Sequence, residues 1–182
     1  MKASPKGILM EHRSHDFGSI HPKAPSDLSR FAFLLGRWEC EAKLTLPDGS
    51  SQVFQARWTG RYILDGYVIA DEYRMTDPTG KLIVLGTNFR SYDATNHTWQ
   101  IKWLNALSGT WTDLVSEEFG GITITDRAIS YSFKEPVAAW AYTRATYTII
   151  SVDHFTWLGE KSDDGKSWTN FMTVTCQRSQ SQ

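Results

Sequence analysis

The residues most able to bind a ligand or take part in chemistry are polar side chains on predicted strands. They lie on the same strand face as apolar neighbours. Asn88 and Arg90 follow Val84 and Gly86 at two-residue steps, so all four belong on one face of a strand. An arginine on a buried face is costly unless it meets a carboxylate, an aromatic ring or an anionic ligand. Asn88 and Arg90 are therefore predicted to hold the carboxylate or carbonyl end of a bound molecule, with a structural role as the alternative.

A carboxylate in the next strand towards the N-terminus is a second candidate, but its direction is open. In one register Asp71 shares the inner face with Tyr73. In the other register Glu72 lies inward beside Ala70. A shift of one residue exchanges the two faces of a strand, so the pattern leaves both possibilities open. A carboxylate buried beside indole rings could serve as a general acid or base.

No motif for nucleophilic, metal or nucleotide chemistry accompanies these residues. The sequence has no Gly-x-Ser-x-Gly, P-loop or Gly-x-Gly-x-x-Gly pattern. Asp77–Gly80 and Asp163–Gly165 resemble fragments of calcium loops, yet they lack the full ligand spacing and are typical of hairpin turns. Cys40 and Cys176 lack zinc-site spacing and are expected to be reduced, buried thiols. We therefore predict neither a metal nor a cofactor.

The composition indicates a globular chain with many large rings. Its 182 residues carry a net charge of −1 and include eight Trp, seven Tyr and nine Phe. The near-neutral charge argues against nucleic acid as a partner. No apolar run approaches the roughly 18 residues of a membrane span, and the N-terminus does not resemble a secretory signal, so we expect a cytoplasmic protein. Residues 1–25 show no periodicity and are predicted to form a flexible tail before a single domain, residues 26–182.

The elements that would position the polar residues are strands rather than helices. Ser26–Leu35 predicts one short helix, because its apolar residues recur at three- and four-residue spacing before Gly36. From Trp38–Leu46 onward apolar and polar residues alternate, and turn signals such as Asp65–Gly66 separate the runs. About ten antiparallel strands result, with no crossover helices. Closure into a barrel would remove the exposed edges, and a two-sheet sandwich is the alternative fold.

Three segments resemble a known fold. Phe33–Glu39 resembles the Gly-x-Trp start of lipocalin-like, calycin-type barrels, in which a short helix leads into the first strand and the Trp closes the floor. An Arg of a closing strand often stacks on that Trp, and Arg144 is the candidate here. Two further matches, to a bacterial lipocalin-like family whose domain carries no assigned function, are Leu64–Gly66 followed by Asp71–Arg74, and Trp157–Trp168 with Arg178 near the end. The resemblance implies an all-β, antiparallel, up-and-down lipocalin-like barrel with one short N-terminal helix.

The alternation of strand residues predicts a barrel lumen lined by indoles and small apolar groups, which suits a planar or hydrophobic molecule. We therefore predict binding of one small, largely hydrophobic ligand. The residues predicted to contact it are Trp58, Tyr73, Asn88, Arg90, Trp103 and Trp111. One alternative is a cofactor-free cyclase or isomerase in which Asp71 or Glu72 acts together with Arg90 on an apolar substrate. The other alternative is a structural or oligomerisation module without a ligand. For the assembly of the chain, a homodimer is the candidate.

Overall fold

Eleven antiparallel strands dominate a computed structural model that describes residues 17–136 and 138–179. A 3-10 helix, Ser26–Leu34, precedes them. The strands are β1 (Gly36–Thr45), β2 (Ser51–Ile63), β3 (Val68–Thr76), β4 (Leu82–Asp93), β5 (Thr98–Asn105), β6 (Thr110–Asp113), β7 (Ile122–Ile124), β8 (Ala128–Lys134), β9 (Tyr142–Ser151), β10 (His154–Ser162) and β11 (Thr169–Arg178). The predicted all-β fold with one short N-terminal helix is confirmed, with eleven strands against the ten or so expected. Within the described ranges, no helix is both long enough and apolar enough to cross a membrane.

All eleven strands belong to one sheet that curls into a barrel. Strands that are consecutive in sequence pair with each other except at β6 and β7, and β1 also pairs with β11, from Trp38 opposite Arg178 to Leu44 opposite Met172. Because the eleven strands are hydrogen-bonded into one continuous sheet, the two-sheet sandwich is excluded. The ends of the sheet are β6 and β7, each of which has one strand partner among the described residues. The curled sheet therefore keeps a seam between β6 and β7, which the expectation of full closure did not include.

The N-terminal helix plugs one end of the barrel. Its apolar residues Leu28, Phe31 and Leu34 are fully buried, and the helix packs on β2, β3 and β4. The indole Nε1 of Trp38 donates a hydrogen bond to the Leu34 carbonyl oxygen over 3.0 Å. The Gly-x-Trp segment therefore ties the start of the first strand to the end of the plug, as the resemblance implied.

Arg178, not Arg144, stacks on the Trp38 ring. The guanidinium carbon of Arg178 lies 4.0 Å from the ring centroid, and its Nη1 donates to the Leu35 carbonyl over 2.7 Å. Arg144 instead forms a bidentate ion pair with Glu160. The expectation for Arg144 was wrong because the closing pair is β1 with β11, which places Arg178 directly opposite Trp38.

The plug approaches the sheet most closely at Gly60. A Cβ atom on Gly60 would collide with the backbone carbonyl of Leu34, and Leu35 forms a bridge with Gly60. Because backbone atoms have little freedom to move aside, only glycine fits this position. The close approach seats the helix end on β2.

Part of the predicted flexible tail lies against the barrel. The His21 amide donates to the Gly66 carbonyl over 3.2 Å, and the His21 ring stacks on Tyr67 with centroids 4.6 Å apart. Gly18 packs against Tyr62. Residues 17–25 therefore belong to the folded unit, because the turn between β2 and β3 supplies backbone and aromatic partners. Residues 1–16 lie outside the described part of the chain.

The two cysteines form a disulfide rather than the expected free thiols. Cys40 of β1 and Cys176 of β11 are directly opposite each other in the closing strand pair, with their Cα atoms 4.2 Å apart. The two cysteines are 136 residues apart in the sequence, so no local pattern indicated that they are close in space. The bond links the first and last strands covalently at the point where the barrel closes.

Candidate functional site

The barrel encloses a cavity of about 220 Å³ between the helical plug and the opposite rim. Side chains near the starts of β4, β6, β9 and β11 line its rim end, whereas Trp58 and Tyr147 line its floor end, nearer the plug. The residues lining the cavity are Trp58, Tyr73, Val84, Asn88, Trp103, Asn105, Thr110, Thr112, Leu114, Tyr131, Phe133, Glu135, Thr143, Ala145, Tyr147, Trp157, Phe171, Met172 and Val174. The alternation of inward side chains brings nine of the strands to this one space.

Eight of the nineteen residues that line the cavity are aromatic. Trp58 and Tyr73 lie side by side on β2 and β3, with ring centroids 5.0 Å apart. Trp103 lies across Gly86, where a Cβ atom would collide with the indole ring. The absence of a side chain at Gly86 thus leaves room for the Trp103 ring against β4. The wall offers extended apolar surfaces that suit a planar molecule.

A buried ion pair between Asp71 and Arg90 underlies the floor of the cavity, and both side chains are 0% exposed. Asp71 Oδ1 also accepts hydrogen bonds from Trp58 Nε1 over 2.7 Å and from Asn88 Nδ2 over 2.9 Å. The structure therefore places Asp71 inward and Glu72 outward. These contacts fix the orientations of the Trp58 ring and the Asn88 amide, both of which face the cavity.

The network continues from Arg90 to two phenols. Arg90 Nη2 donates to the Tyr147 hydroxyl oxygen over 2.9 Å, and the Tyr131 hydroxyl donates to the same oxygen over 3.4 Å. The guanidinium also lies over the Phe31 ring of the plug, 4.8 Å from its centroid. The positive charge of Arg90 is thus compensated by Asp71 and covered by the plug. The two phenols connect this charge pair to the cavity.

Burial favours the neutral form of Tyr147, the phenol at the cavity floor. It raises the pKa of Tyr147 well above the ordinary value of 10.0, and the nearby Tyr131 phenol raises it further, while Arg90 opposes the shift. Burial likewise raises the pKa of Tyr73. Both groups therefore keep their protons at physiological pH and can act as hydrogen-bond donors.

The rim carries a second, smaller polar group. The Thr143 hydroxyl donates to Glu135 Oε2 over 3.0 Å and accepts a hydrogen bond from Trp140 Nε1 over 2.9 Å. Glu135 and Thr143 both line the cavity. A carboxylate therefore stands at the end opposite the floor network.

The six residues predicted to contact a ligand have three different placements. Four of them line the cavity: Trp58, Tyr73, Asn88 and Trp103. Arg90 does not, because it lies beneath the floor in its pair with Asp71. Trp111 lies on the outer surface, 56% exposed, against Phe89. The expectation for Trp111 was wrong because β6 pairs Thr112 with the inward Trp103, which turns Trp111 outward.

Several cavity residues were missed from the sequence. Tyr131 and Phe133 alternate along β8, and Ala145 and Tyr147 alternate along β9, so their parity was a usable signal. Both strands, however, also carry Thr or Ser at the intervening positions. The contrast in polarity between the two faces was therefore too small to show which face was the inner one. The joint role of Tyr131 and Tyr147 required the pairing of β8 with β9 and the position of Arg90 across the lumen.

Comparisons with known proteins place the chain in a family and a fold. A family profile described as "Protein of unknown function (DUF1579)" matches residues 27–178. The crystal structure of Rv2717c from M. tuberculosis aligns with a TM-score of 0.62 and 11% identity, covering 87% of this chain and 100% of that one. This likeness shows a shared fold. No curated protein matches the sequence significantly.

Two further solved structures align less closely. The S-type phycobiliprotein lyase CPES from Guillardia theta has a TM-score of 0.45 and 10% identity, covering 84% of this chain and 92% of that one. A redesigned beta barrel, mFAP1, bound to DFHBI, has a TM-score of 0.40 and 18% identity, covering 81% of this chain and 96% of that one.

Proposed function

The chain belongs to the DUF1579 family, and we propose that this member binds one small, largely hydrophobic molecule in its barrel cavity. The observation that carries the proposal is the cavity itself: an aromatic-walled space whose polar groups gather at its floor and rim. Ligand sites are typically apolar clefts in which a few placed polar groups set orientation.

The size of the cavity limits the size of the ligand. Its volume of about 220 Å³ exceeds the roughly 150 Å³ of an engineered cavity that binds benzene. It is smaller than the roughly 300–1,000 Å³ of sites for drug-sized molecules. A ligand of the size of a substituted naphthalene fits between these limits.

The placement of Asp71 and Glu72 argues against either one as the acid or base of a cyclase or isomerase. Asp71 already engages Arg90, Trp58 and Asn88, so its carboxylate is committed to the fold. Glu72 lies on the outer face of β3. Of the two carboxylates considered for a cyclase or isomerase, neither is therefore placed to exchange a proton with a molecule in the cavity.

Ligand titration of the purified protein tests the proposal, with tryptophan fluorescence as the signal because Trp58, Trp103 and Trp157 line the cavity. The probes are 2-acetylnaphthalene and 2-isopropylnaphthalene. The cavity is filled by Ala145→Leu, since Ala145 is buried in its wall. The matched control is Thr148→Leu, because residues of odd number in this part of β9 face inward and Thr148 faces outward.

We expect saturable quenching in the natural protein and in Thr148→Leu, and at least tenfold weaker binding in Ala145→Leu. Circular dichroism should verify that both variants fold. Equal affinities in the two variants would place the probe outside the cavity. An absence of saturable quenching with both probes in the natural protein would favour a structural module without a ligand.

A further inference from the structure

We infer that the cavity selects a ligand with an uncharged acceptor oxygen, such as a ketone or amide carbonyl, and that the Tyr147 hydroxyl donates a hydrogen bond to it. The inference rests on the proposed binding function and specifies the chemical class of the ligand. It follows from the distribution of protons and charges at the cavity floor.

The proton of Tyr147 is available to a ligand. In the described part of the chain its hydroxyl oxygen contacts two groups, Arg90 Nη2 and the Tyr131 hydroxyl, and both donate to it. The two lone pairs of the oxygen are thereby occupied, which leaves the O–H of Tyr147 as a donor without a protein acceptor. An unmatched donor at a buried site is costly, so an acceptor within the cavity would be stabilising.

Arg90 strengthens this donor. A hydroxyl that accepts a hydrogen bond from a cation is polarised and becomes a better donor itself, because hydrogen bonds in a chain reinforce one another. The chain runs from Asp71 through Arg90 to Tyr147. Its geometry is held by the packing of Arg90 over the Phe31 ring, so the donor is oriented before a ligand enters.

The charges disfavour an anionic ligand. Arg90 and Asp71 cancel each other beneath the floor, so no net positive charge is left for a carboxylate. Glu135, which accepts a hydrogen bond from Thr143, lines the rim of the cavity and adds no positive charge there. A carbonyl oxygen accepts the Tyr147 hydrogen bond without bringing a charge into an apolar space.

Three probes of similar shape distinguish these chemistries: 2-acetylnaphthalene, 2-isopropylnaphthalene and 2-naphthoate. In the natural protein we expect the ketone to bind about tenfold more tightly than the hydrocarbon, and the carboxylate to bind more weakly than the ketone. Tyr147→Phe should remove the preference for the ketone and leave the affinity for the hydrocarbon within about twofold. The matched control is Tyr92→Phe, which removes a phenol of β4 that does not line the cavity, and it should keep the preference.

Infrared spectroscopy of the bound ketone gives an independent measurement, and its decisive comparison uses the natural protein alone. The C=O stretching band of 2-acetylnaphthalene should lie at lower frequency in the natural protein than in hexane, and should return towards the hexane value in Tyr147→Phe. An unshifted band in the natural protein, or equal affinities for ketone and hydrocarbon, would overturn the inference while leaving the proposed binding function intact. Tightest binding of the carboxylate would also overturn it. Failure of all three probes to bind would refute the binding function itself.

Discussion

Replacing Asp71 with Asn should destabilise the protein strongly, because it leaves the Arg90 guanidinium buried without a counter-charge. Both side chains are 0% exposed, and breaking a buried ion pair typically costs 3–5 kcal/mol. Arginine keeps its charge in proteins, so Arg90 has no means of becoming neutral. The Asn side chain also has to accommodate the donors Trp58 Nε1 and Asn88 Nδ2. We therefore expect a loss near the upper end, about 5 kcal/mol.

Removing the other partner of the ion pair by Arg90→Met should lower the free energy of unfolding by less, about 3 kcal/mol. Asp71 then keeps two hydrogen bonds, from Trp58 and Asn88, and a carboxylate can bind a proton when its counter-charge is removed. In the double variant no charge remains buried. Its loss should fall short of the sum of the two single losses by at least about 2 kcal/mol, because the residues are in direct contact.

Urea unfolding at pH 7, followed by tryptophan fluorescence and extrapolated linearly to water, measures all three free energies. A loss below about 1 kcal/mol for Asp71→Asn would contradict the account of a buried, uncompensated guanidinium. Additive single losses in the double variant would show that the two side chains do not act as a pair.

Three further perturbations probe closure, packing and protonation. The double substitution of Cys40 and Cys176 with Ser should lower the free energy of unfolding by about 2–4 kcal/mol in urea experiments, because it removes the covalent link between the first and last strands. Gly60→Ala should lower the thermal midpoint and cost roughly 3 kcal/mol, because its Cβ would meet the Leu34 carbonyl. Raising the pH above 10.0 should destabilise the fold, because Tyr73 and Tyr147 lose their protons near that pH only in the unfolded chain.

Each of these has a control or a contrary outcome. Dithiothreitol should shift the natural protein, but not the cysteine double variant, towards lower stability. Unchanged melting of Gly60→Ala would mean that the plug can move away from β2. For the tyrosines, the phenols are neutral in both states below pH 10.0, so their contribution is constant there. A titration of absorbance at 295 nm in which all seven tyrosines ionise together near the ordinary value would contradict the burial of Tyr147.

Much of the fold was predictable because its signals are local. The alternation in β1 and β2 is regular, so the inward positions of Trp38, Cys40 and Trp58 followed from parity. The turn signals between the runs, and the lack of crossover helices, favoured an antiparallel barrel over a parallel sheet. The Gly-x-Trp segment located the junction between plug and barrel. Each of these features depends on residues that are close together in the sequence, so the sequence alone was enough to predict it.

The direction of β3 and the position of Trp111 required the folded protein. Both faces of β3 carry apolar residues, so the sequence allowed either Asp71 or Glu72 to face inward. Trp111 lies between two threonines in a strand of four residues. The alternating pattern is too short there to indicate which side of the sheet Trp111 occupies. Thr112 lies opposite the inward Trp103 in the folded protein, so Thr112 faces inward and Trp111 faces outward.

The sequence by itself therefore determined a single antiparallel β domain with a short plug and an aromatic interior. Tertiary structure alone decided which distant groups meet: Cys40 with Cys176, Trp38 with Arg178, and Arg90 with Asp71 and Tyr147. The physical reason is that a strand's alternation specifies which face a side chain occupies, whereas the closure of the barrel specifies what lies across the lumen. Interactions over such distances along the chain depend on strand register and on the pairing of β1 with β11, and no local pattern encodes either one.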